Sequence, residues 1–391
     1  MSKEVFVLSA ARSAVGTFGG SLSTFTPEDL GSIVARAAFE RSGIDAQRAT
    51  FAAVGNVIPC RKTFPYVSRI IAIRSGMPME STALACNRIC GSAQQAIIIV
   101  AQNILLGDVE IGLAGGVEVM SAGGYISPAM RSGARMGDTA MEDLMVAPLT
   151  DPFGAGHMGM TAENVAAKWS ISREEQDALA VESQRRTLQA IAEGRFKSQI
   201  VPITLKTKKG EVIFDTDEHP RPTSLEVLAK MKPAFKKDGG TVTAGNASGI
   251  NDGASFLVLA EAAAAKSATP LARLVAYAVA GVEASVMGEG PIPATKAALK
   301  RAGLTLDQID VIEANEAFAS QAIAVSKGLG LDPVKTNPNG GAIAMGHPVG
   351  ATGAVIATKL IHEMHRVSAR YGLATMCIGG GQGITTIWER C

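Results

Sequence analysis

Residues 81–96 read STALACNRICGSAQQA, in which a short apolar run leads through a cysteine and a glycine into a second apolar segment. The run ending at Cys86 predicts a strand, and the residues after Gly91 predict a helix that continues to Leu106. Cys90 therefore lies at the start of a helix, where unpaired backbone N–H groups and the positive end of the helix dipole favour a thiolate. The position is typical of a nucleophilic cysteine.

The C-terminal part of the chain offers partners for such a nucleophile. Residues 337–350 read NPNGGAIAMGHPVG and place His347 in a glycine-rich turn, and residues 376–383 read MCIGGGQG and do the same for Cys377. A nucleophilic cysteine needs a base, and glycine-rich turns let the backbone approach a substrate closely. His347 is thus a candidate base. From the residues alone, Cys377 is either a second reactive thiol or a core residue at a strand end.

The composition predicts an α/β protein. Of 391 residues 47% are hydrophobic but only 5% are aromatic, so the core is built from Ala, Val, Ile and Leu. Lys plus Arg (37) balance Asp plus Glu (36), which gives no broad electrostatic surface for nucleic acid or an anionic membrane. Five cysteines do not suggest a disulfide framework, the first residues lack a signal pattern, and no apolar run approaches a bilayer-spanning length of about 20 residues. We expect a cytoplasmic protein.

The chain contains a weak internal repeat. Residues 35–45 and 295–305 share Ala, Ala, Arg and Gly at the same places, and each predicts an amphipathic helix that ends at the glycine before a strand. A duplicated βα unit predicts two sheets related by a two-fold axis. Residues 121–245 differ from both halves and predict one clear helix, which begins with a capping box from Ser172 to Glu175 and ends near Gly194.

Together with Asn315-Glu316-Ala317-Phe318 and the segment AGNASGINDGA at 244–254, these motifs resemble the thiolase family, and within it the short-chain bacterial acetyl-CoA acetyltransferases or β-ketothiolases. The resemblance covers essentially the whole chain. It implies two duplicated βαβαβαββ halves in a five-layered α-β-α-β-α core. The N-terminal half is expected at 1–120 plus 246–268, an inserted coenzyme A-binding loop domain at 121–245, and the C-terminal half at 269–391.

The same resemblance implies a reversible acyl transfer between thioesters with a ping-pong mechanism. Cys90 would carry the acyl group, His347 would activate Cys90 and contribute to an oxyanion hole, and Cys377 would move the proton on the α-carbon. Asn315 would hold a water in the oxyanion hole with His347, and the backbone N–H of Gly379 would form a second hole with that of Cys90. The residues implied in binding coenzyme A and substrate are His157, Arg221, Ser248, Leu149, Met158, Ala244 and Phe318.

No metal or cofactor is expected, because coenzyme A and acyl-CoA are the substrates. Residues 131–145 resemble the tetramerisation loop of thiolases, which implies a homotetramer. One departure concerns Ala93, since thiolases commonly have glycine there, and a methyl at this point is expected to tighten the acyl pocket or shift the helix.

Other residues carry plainer interpretations. His362 and His365 lie on one predicted helix without the spacing of a zinc site, which favours a solvated helix face, and His219 before Pro220 is expected in a surface turn. The lysines Lys206, Lys208 and Lys209 are interpreted as solvated charge. Two alternatives remain open at this point. A ketoacyl synthase would use a cysteine with two histidines or with a histidine and an asparagine, and a non-catalytic acyl-CoA-binding protein would lack one of the four reactive positions.

Overall fold

The computed structural model describes residues 3–208 and 210–391. The first part of the chain alternates strands with helices. Its elements are β1 (Val5–Arg12), β2 (Gly16–Thr17), α1 (Pro27–Ser42), β3 (Phe51–Gly55), α2 (Val67–Arg74), β4 (Thr82–Cys86), α3 (Ser92–Leu106) and β5 (Ile111–Val119). Helix α1 begins at Thr26, whose side chain accepts a hydrogen bond from the N–H of Asp29, and ends at Gly43 in the left-handed conformation that the sequence predicts.

The segment between β5 and the next long strand, residues 120–250, is here called the excursion and contains more helix than the sequence predicts. Its elements are β6 (Tyr125–Ile126), β7 (Glu142–Asp143), β8 (Thr150–Asp151), β9 (Gly156–His157), α4 (Met158–Lys168), α5 (Arg173–Ala192), β10 (Ile203–Thr207), β11 (Gly210–Phe214) and α6 (Leu225–Ala229). The predicted capping box of α5 is present. Helix α4 was not predicted, because its glycine-containing start hides a short helical period. Lys206 and Lys208 are exposed, and Lys209 lies outside the described residues.

The last part of the chain repeats the alternation of the first. Its elements are β12 (Asn251–Glu261), β13 (Ala272–Gly281), α7 (Pro291–Ala302), β14 (Val311–Ala314), α8 (Ala319–Leu329), α9 (Ala342–Met345), α10 (Thr352–Arg366), β15 (Tyr371–Ile378) and β16 (Gln382–Arg390). Helix α7 ends at Gly303 in the left-handed conformation, as α1 does at Gly43. Strand β12 pairs with β1 and β5, so the chain returns after the excursion to the sheet of the first half.

The strands of the two halves form the two predicted β layers, which hydrogen bonds between β1 and β13 join into one continuous sheet. Its order is β4-β3-β5-β12-β1 in the first half, continued by β13-β16-β15-β14 in the second, with β2 beside β12. The halves are joined where Phe6 and Val7 of β1 pair antiparallel with Arg273 and Ala272 of β13. A register irregularity interrupts β1 between Val7 and Ser9 and β13 at the matching place, so the duplication extends to a β-bulge.

Helices form layers around the two halves of the sheet. Helices α1 and α2 contact only strands of the first half, α7 contacts strands of the second, and α3 and α10 contact strands of both. Separate apolar clusters fill the outer layers, while a third cluster from α3, α10 and strands of both halves fills the middle. This is the expected five-layered α-β-α-β-α arrangement. The domain limits given above remain a prediction.

Two expectations from the sequence are wrong in the layered core: that no apolar segment approaches a membrane-spanning length, and that His362 lies on a solvated helix face. Residues 89–106 are apolar enough by length and composition to cross a membrane, but 56% of this window is buried, as suits the core helix α3 between two sheet layers. His362 on α10 does not belong to a solvated face, because its Nε2 donates to Ala10 O at 2.9 Å and its Nδ1 lies 2.9 Å from Ser198 Oγ. Its burial lowers the pKa of the imidazole to about 4.

Candidate active site

The loop between β4 and α3 holds Cys90 in a fixed position. Asn87 Oδ1 accepts the N–H of Ile89 at 3.0 Å, and Ser92 Oγ accepts the N–H of Arg88 at 2.8 Å and donates to Ile89 O at 2.6 Å. These bonds keep Ile89 at a φ of 46°, a conformation that β-branched residues rarely adopt. Cys90 follows at once and lies two residues before the first residue of α3, as the sequence predicts.

The resting form of Cys90 is a thiol. Burial raises its pKa to about 11, although the N–H groups of Gly379 and of Cys90 itself bond to the sulfur and oppose that rise. The buried carboxyl of Glu118 raises the pKa further. The backbone donors favour the thiolate as the sequence predicts, but desolvation outweighs them. Cys90 needs a base to become a nucleophile.

His347 has the tautomer that a base requires. The hydroxyl of Thr352 lies 2.9 Å from Pro348 O and 2.6 Å from His347 Nδ1, and when it donates to the carbonyl its oxygen accepts from Nδ1. The proton of the neutral ring is then on Nδ1, and Nε2 keeps a lone pair. Nε2 is buried and has no hydrogen-bond partner within the described residues, and burial lowers the pKa of the ring to about 4. The imidazole is neutral near pH 7 and able to accept a proton.

Cys377 lies beside Cys90 at the end of β15. It is buried in a cluster with Met158, Met287 and Phe318. Burial raises the pKa of its thiol, and the neighbouring Cys90 raises it further, so the two sulfurs are close enough to interact. Gly379 connects the two thiols, because it follows Cys377 by two residues and its N–H points at Cys90. The structure thus joins residues that are far apart in the sequence.

Asn315 directly follows β14, and its backbone N–H donates to Thr375 O at 3.0 Å. Its side-chain Oδ1 and Nδ2 are both buried and make no hydrogen bond within residues 3–208 and 210–391. Buried amides normally have partners, so this one is available to a substrate or to water. The adjacent Glu316 instead accepts bonds from Ser183 Oγ at 2.6 Å and Asn337 Nδ2 at 2.9 Å, which fixes the loop behind Asn315.

His157 begins a stack of aromatic rings that leads towards Cys377. Its Nδ1 accepts the N–H of Gly159 at 3.1 Å and thereby caps α4, so the ring proton is on Nε2. The imidazole stacks on Phe235 with ring centroids 4.7 Å apart, and Phe235 meets the edge of Phe318 at 6.3 Å. Phe235 was not predicted, because a single aromatic residue between loop prolines and lysines carries no pattern.

The other predicted binding residues divide into two groups. Leu149 is half-buried in the apolar cluster that also contacts Cys90, and Ser248 is half-buried with its N–H bonded to Ala317 O at 2.9 Å. Ala244 and Arg221 are exposed, and Arg221 is fixed only through its backbone N–H, which donates to Gln184 Oε1 at 2.9 Å. Leu149 and Ser248 are thus partly enclosed, and Leu149 packs in the same cluster as Cys90, whereas Ala244 and Arg221 lie at the surface.

The structure changes the expectations for His219 and Ala93. His219 is half-buried rather than a surface turn residue. Its Nδ1 lies 3.4 Å from Asn251 Nδ2, and burial together with Arg221 lowers its pKa to about 4. Ala93 is fully buried, and a Cβ on Gly116 of β5 would come within 2.8 Å of its methyl. The methyl therefore occupies space that a glycine in β5 leaves free, and the helix needs no shift.

The described residues contain no group of three or more His, Cys, Asp or Glu side chains that could hold a metal ion. The groups of the site that could take part in chemistry are the two thiols, one imidazole and one amide. Thr352, Glu118 and Met287 were not predicted as parts of it. Of these, Thr352 carried a signal, since a hydroxyl five residues after a candidate base is a reasonable orienting partner.

Residues 5–263 match the family model described as "Thiolase, N-terminal domain", and residues 268–390 match "Thiolase, C-terminal domain". The chain belongs to the thiolase family. This thiolase is 53% identical to the beta-ketothiolase BktB of Cupriavidus necator, with 100% of both chains covered.

Two solved structures are similar to this thiolase throughout. The human mitochondrial 3-ketoacyl-CoA thiolase in complex with CoA superposes with a TM-score of 0.96 and 44% identity, covering 100% of this chain and 98% of that one. The acetyl-CoA acetyltransferase of Syntrophomonas wolfei superposes with a TM-score of 0.97 and 41% identity, covering 100% of both chains. The predicted thiolase fold and the assignment to the acyltransferases are confirmed.

Proposed function

We propose that the protein is an acetyl-CoA C-acetyltransferase, or β-ketothiolase, that condenses acetyl-CoA with an acyl-CoA and cleaves short-chain 3-ketoacyl-CoA in the reverse direction. The observation that carries the proposal is the group of Cys90, Cys377 and the neutral His347, with the Nε2 lone pair of His347 free to accept a proton. The names of the similar proteins, beta-ketothiolase and acetyl-CoA acetyltransferase, support the same reaction.

In the thiolysis direction, His347 Nε2 takes the proton of Cys90, and the sulfur attacks the keto carbon of a 3-ketoacyl-CoA. The bond between that carbon and the α-carbon breaks, and its electron pair leaves as the enolate of acetyl-CoA. The Cys377 thiol gives its proton to the α-carbon, which releases acetyl-CoA. The Cys377 thiolate takes the proton of free coenzyme A, whose sulfur attacks the acyl group on Cys90, and the departing Cys90 sulfur recovers its proton from His347, which returns the enzyme to its starting form.

Both steps develop negative charge on a carbonyl oxygen, which is the keto oxygen and then the enolate oxygen in the first step and the oxygen of the acyl-Cys90 thioester in the second. Once protonated, His347 Nε2 becomes a donor, and we assign it to one oxyanion site together with a water held by Asn315. The N–H groups of Cys90 and Gly379 form the other. Each donor of this kind contributes about 2.7–4 kcal/mol to the transition state. The high pKa of Cys377 suits a proton donor to carbon, because the thiol stays protonated until the enolate forms.

Coenzyme A enters as substrate, and the proposed reaction needs no separate cofactor. We assign its pantetheine to the aromatic stack of His157 and Phe318, with Met158, Leu149, Ala244 and Ser248 along the path, and its adenine end to Arg221. The Nε2–H of His157 is directed by the cap at Nδ1 and is available as a donor. The human thiolase described with CoA supports binding of this cosubstrate.

We also propose a homotetramer in a reducing cytoplasm. Tyr125, Met130, Met136 and Met141 are exposed on the excursion, and Met136 is 96% exposed, which favours coverage by another copy. The edge strand β4 exposes Leu84 and offers a second surface. The five cysteines are all free thiols, which supports a reducing compartment.

The experiment that tests the reaction is to trap the intermediate. We expect acetyl-CoA to add one acetyl group to the peptide that contains Cys90, as measured by mass spectrometry. Cys90→Ala should lose turnover with acetoacetyl-CoA and keep acetyl-CoA binding in calorimetry. Acetyl on another residue, or full turnover by the variant, would refute the assignment. Binding without any acetylation or turnover in the wild type would favour the non-catalytic alternative. Release of carbon dioxide from malonyl substrates would favour the ketoacyl synthase.

A further inference from the structure

Glu118 is a fully buried carboxyl group in β5 that accepts four hydrogen bonds. Its Oε1 accepts from Asn56 Nδ2 at 2.8 Å and from the N–H of Ile58 at 3.2 Å. Its Oε2 accepts from the N–H groups of Val57 at 3.0 Å and Gly350 at 2.9 Å. Each oxygen thus faces two donors. A carboxylate satisfies this arrangement, whereas a carboxylic acid would direct its proton at a donor.

The four donors come from different halves of the protein. Asn56, Val57 and Ile58 follow β3 in the N-terminal half. Gly350 belongs to the loop of the C-terminal half that also carries His347. A Cβ on Gly350 would lie 2.4 Å from Glu118 Oε2, so the loop approaches the carboxylate as closely as its glycine allows.

Both segments border the nucleophile. Val57, Ile58 and Val349 form one buried apolar cluster, and Ile89 and Cys90 pack against it. Glu118 therefore holds a wall of the Cys90 pocket and the loop of the base in one arrangement. On the basis of the proposed function, we propose that Glu118 is a positioning residue that sets the distance between Cys90 and His347 by binding the backbones of both halves.

The charge of Glu118 does not assist the reaction. Burial raises the pKa of Glu118 to about 8, and the nearby carboxyl of Asp252 raises it further, while the N–H groups of Ile58, Val57 and Gly350 oppose the rise, so Glu118 carries its full negative charge in the alkaline range in which Cys90 ionises. Asp252 itself accepts bonds from the N–H and Oγ of Ser121. Glu118 also raises the pKa of Cys90 and of Cys60, which works against a thiolate. The benefit to catalysis must then come from geometry.

Glu118→Gln separates the effect of Glu118 on the positions of the two loops from the effect of its charge on Cys90. The amide keeps the shape but turns an NH₂ group towards backbone donors, so the two loops move apart. We expect kcat for thiolysis of acetoacetyl-CoA to fall by about 100-fold, the loss typical of a 1 Å misplacement, with little change in KM for coenzyme A. Alkylation of Cys90 by iodoacetamide should shift to lower pH, because a negative charge has been removed. A general loss of folding stability is not expected to lower kcat and at the same time let Cys90 ionise at lower pH.

Glu163→Gln is the matched control. Glu163 is also a buried carboxyl that accepts backbone N–H bonds, from Thr241 and Val242, but it lies on α4 and has no contact with the loop of His347. We expect it to lower the melting temperature without shifting the alkylation profile of Cys90. If it produces the same profile as Glu118→Gln, the inference is wrong.

Glu118→Asp provides a second test, also in case the glutamine variant does not fold. It keeps the charge but withdraws the oxygens from Gly350, so kcat should fall with an unchanged alkylation profile. Wild-type kcat in either variant would overturn the inference while leaving the proposed function intact. A wild-type enzyme that fails to cleave acetoacetyl-CoA would instead overturn the proposed function. In that case the alkylation shift would still report on the contact between Glu118 and Cys90.

Discussion

The starts of α3 and α10 occupy corresponding places in the two halves but carry different residues. Phe51 pairs with Gly112 in the first half as Val311 pairs with Gly372 in the second, and the same offset in residue number relates Ser92, the first residue of α3, to Thr352, the first residue of α10. Cys90 then corresponds to Gly350. One helix start carries the nucleophile, and the other has no side chain at that place.

The difference extends to the neighbouring strand ends. The same offset relates Val117 to Cys377 and Gly55 to Asn315. A Cβ on Gly55 would lie 2.7 Å from Gly350 O, so the bare positions let the halves approach each other. The duplicated frame thus brings two helix starts together. In the proposed reaction the first half supplies the nucleophile, and the second supplies the base, the proton donor and the amide.

The largest effect on kcat is expected at Cys377, where the first half has the apolar Val117. Cys377→Ala removes the proton donor, and we expect kcat for condensation to fall by about 100- to 10,000-fold, the range of general acid–base catalysis. Acetylation of Cys90 by acetyl-CoA should persist, because that half-reaction breaks no carbon–carbon bond. The corresponding control, Val117→Ala, should lower stability with little effect on kcat. If Cys377→Ala also blocks acetylation, Cys377 has a different role.

Gly350→Ala tests the contact between the halves. Its methyl would meet Glu118 Oε2 and the backbone of Asn56, an overpacking that costs about 1–3 kcal/mol. Displacement of the His347 loop should lower kcat/KM by up to about 100-fold. Gly281→Ala is the control, since its nearest neighbour would be 3.9 Å away, and it should be neutral. Equal kinetics for both variants would show that the close approach at residue 350 does not matter.

Much of this arrangement was predictable from the sequence. Cys90, His347, Cys377 and Asn315 each lie in a motif whose residue types suit their chemistry, and the repeat of helix and glycine indicated the duplication. The joined sheet, Phe235 and Glu118 were not predictable, because each depends on contacts between segments far apart in the chain. The raised pKa of Cys90 was not predictable, since a local pattern shows the helix start but not how far tertiary packing desolvates the sulfur.

Acid should destabilise the second half more than the first. His347 and His362 have pKa values lowered to about 4, while the corresponding first-half residues are Asn87 and Gln102, which do not titrate. The unfolded chain takes up these protons first, so the contribution of each histidine to the free energy of unfolding is complete above pH 6.5 and is lost as the pH drops towards 4, by about 3 kcal/mol for each histidine. His362→Gln should make urea unfolding less dependent on pH over this range. An unchanged dependence would contradict the lowered pKa.

The smallest effect is expected at Ala93, which corresponds to Gly353 in the second half. Ala93→Gly removes a buried methyl near the start of α3 and should cost about 0.5–1 kcal/mol of stability. Because this methyl lies against Gly116 of β5, thiolysis rates across 3-ketoacyl-CoA chain lengths should keep the wild-type order. Ala101→Gly, a buried alanine on the same helix, measures the cost of the glycine itself. A preference for longer chains in Ala93→Gly but not in Ala101→Gly would place the methyl at the acyl pocket, and the two helix starts would then differ in substrate selection as well as in reactivity.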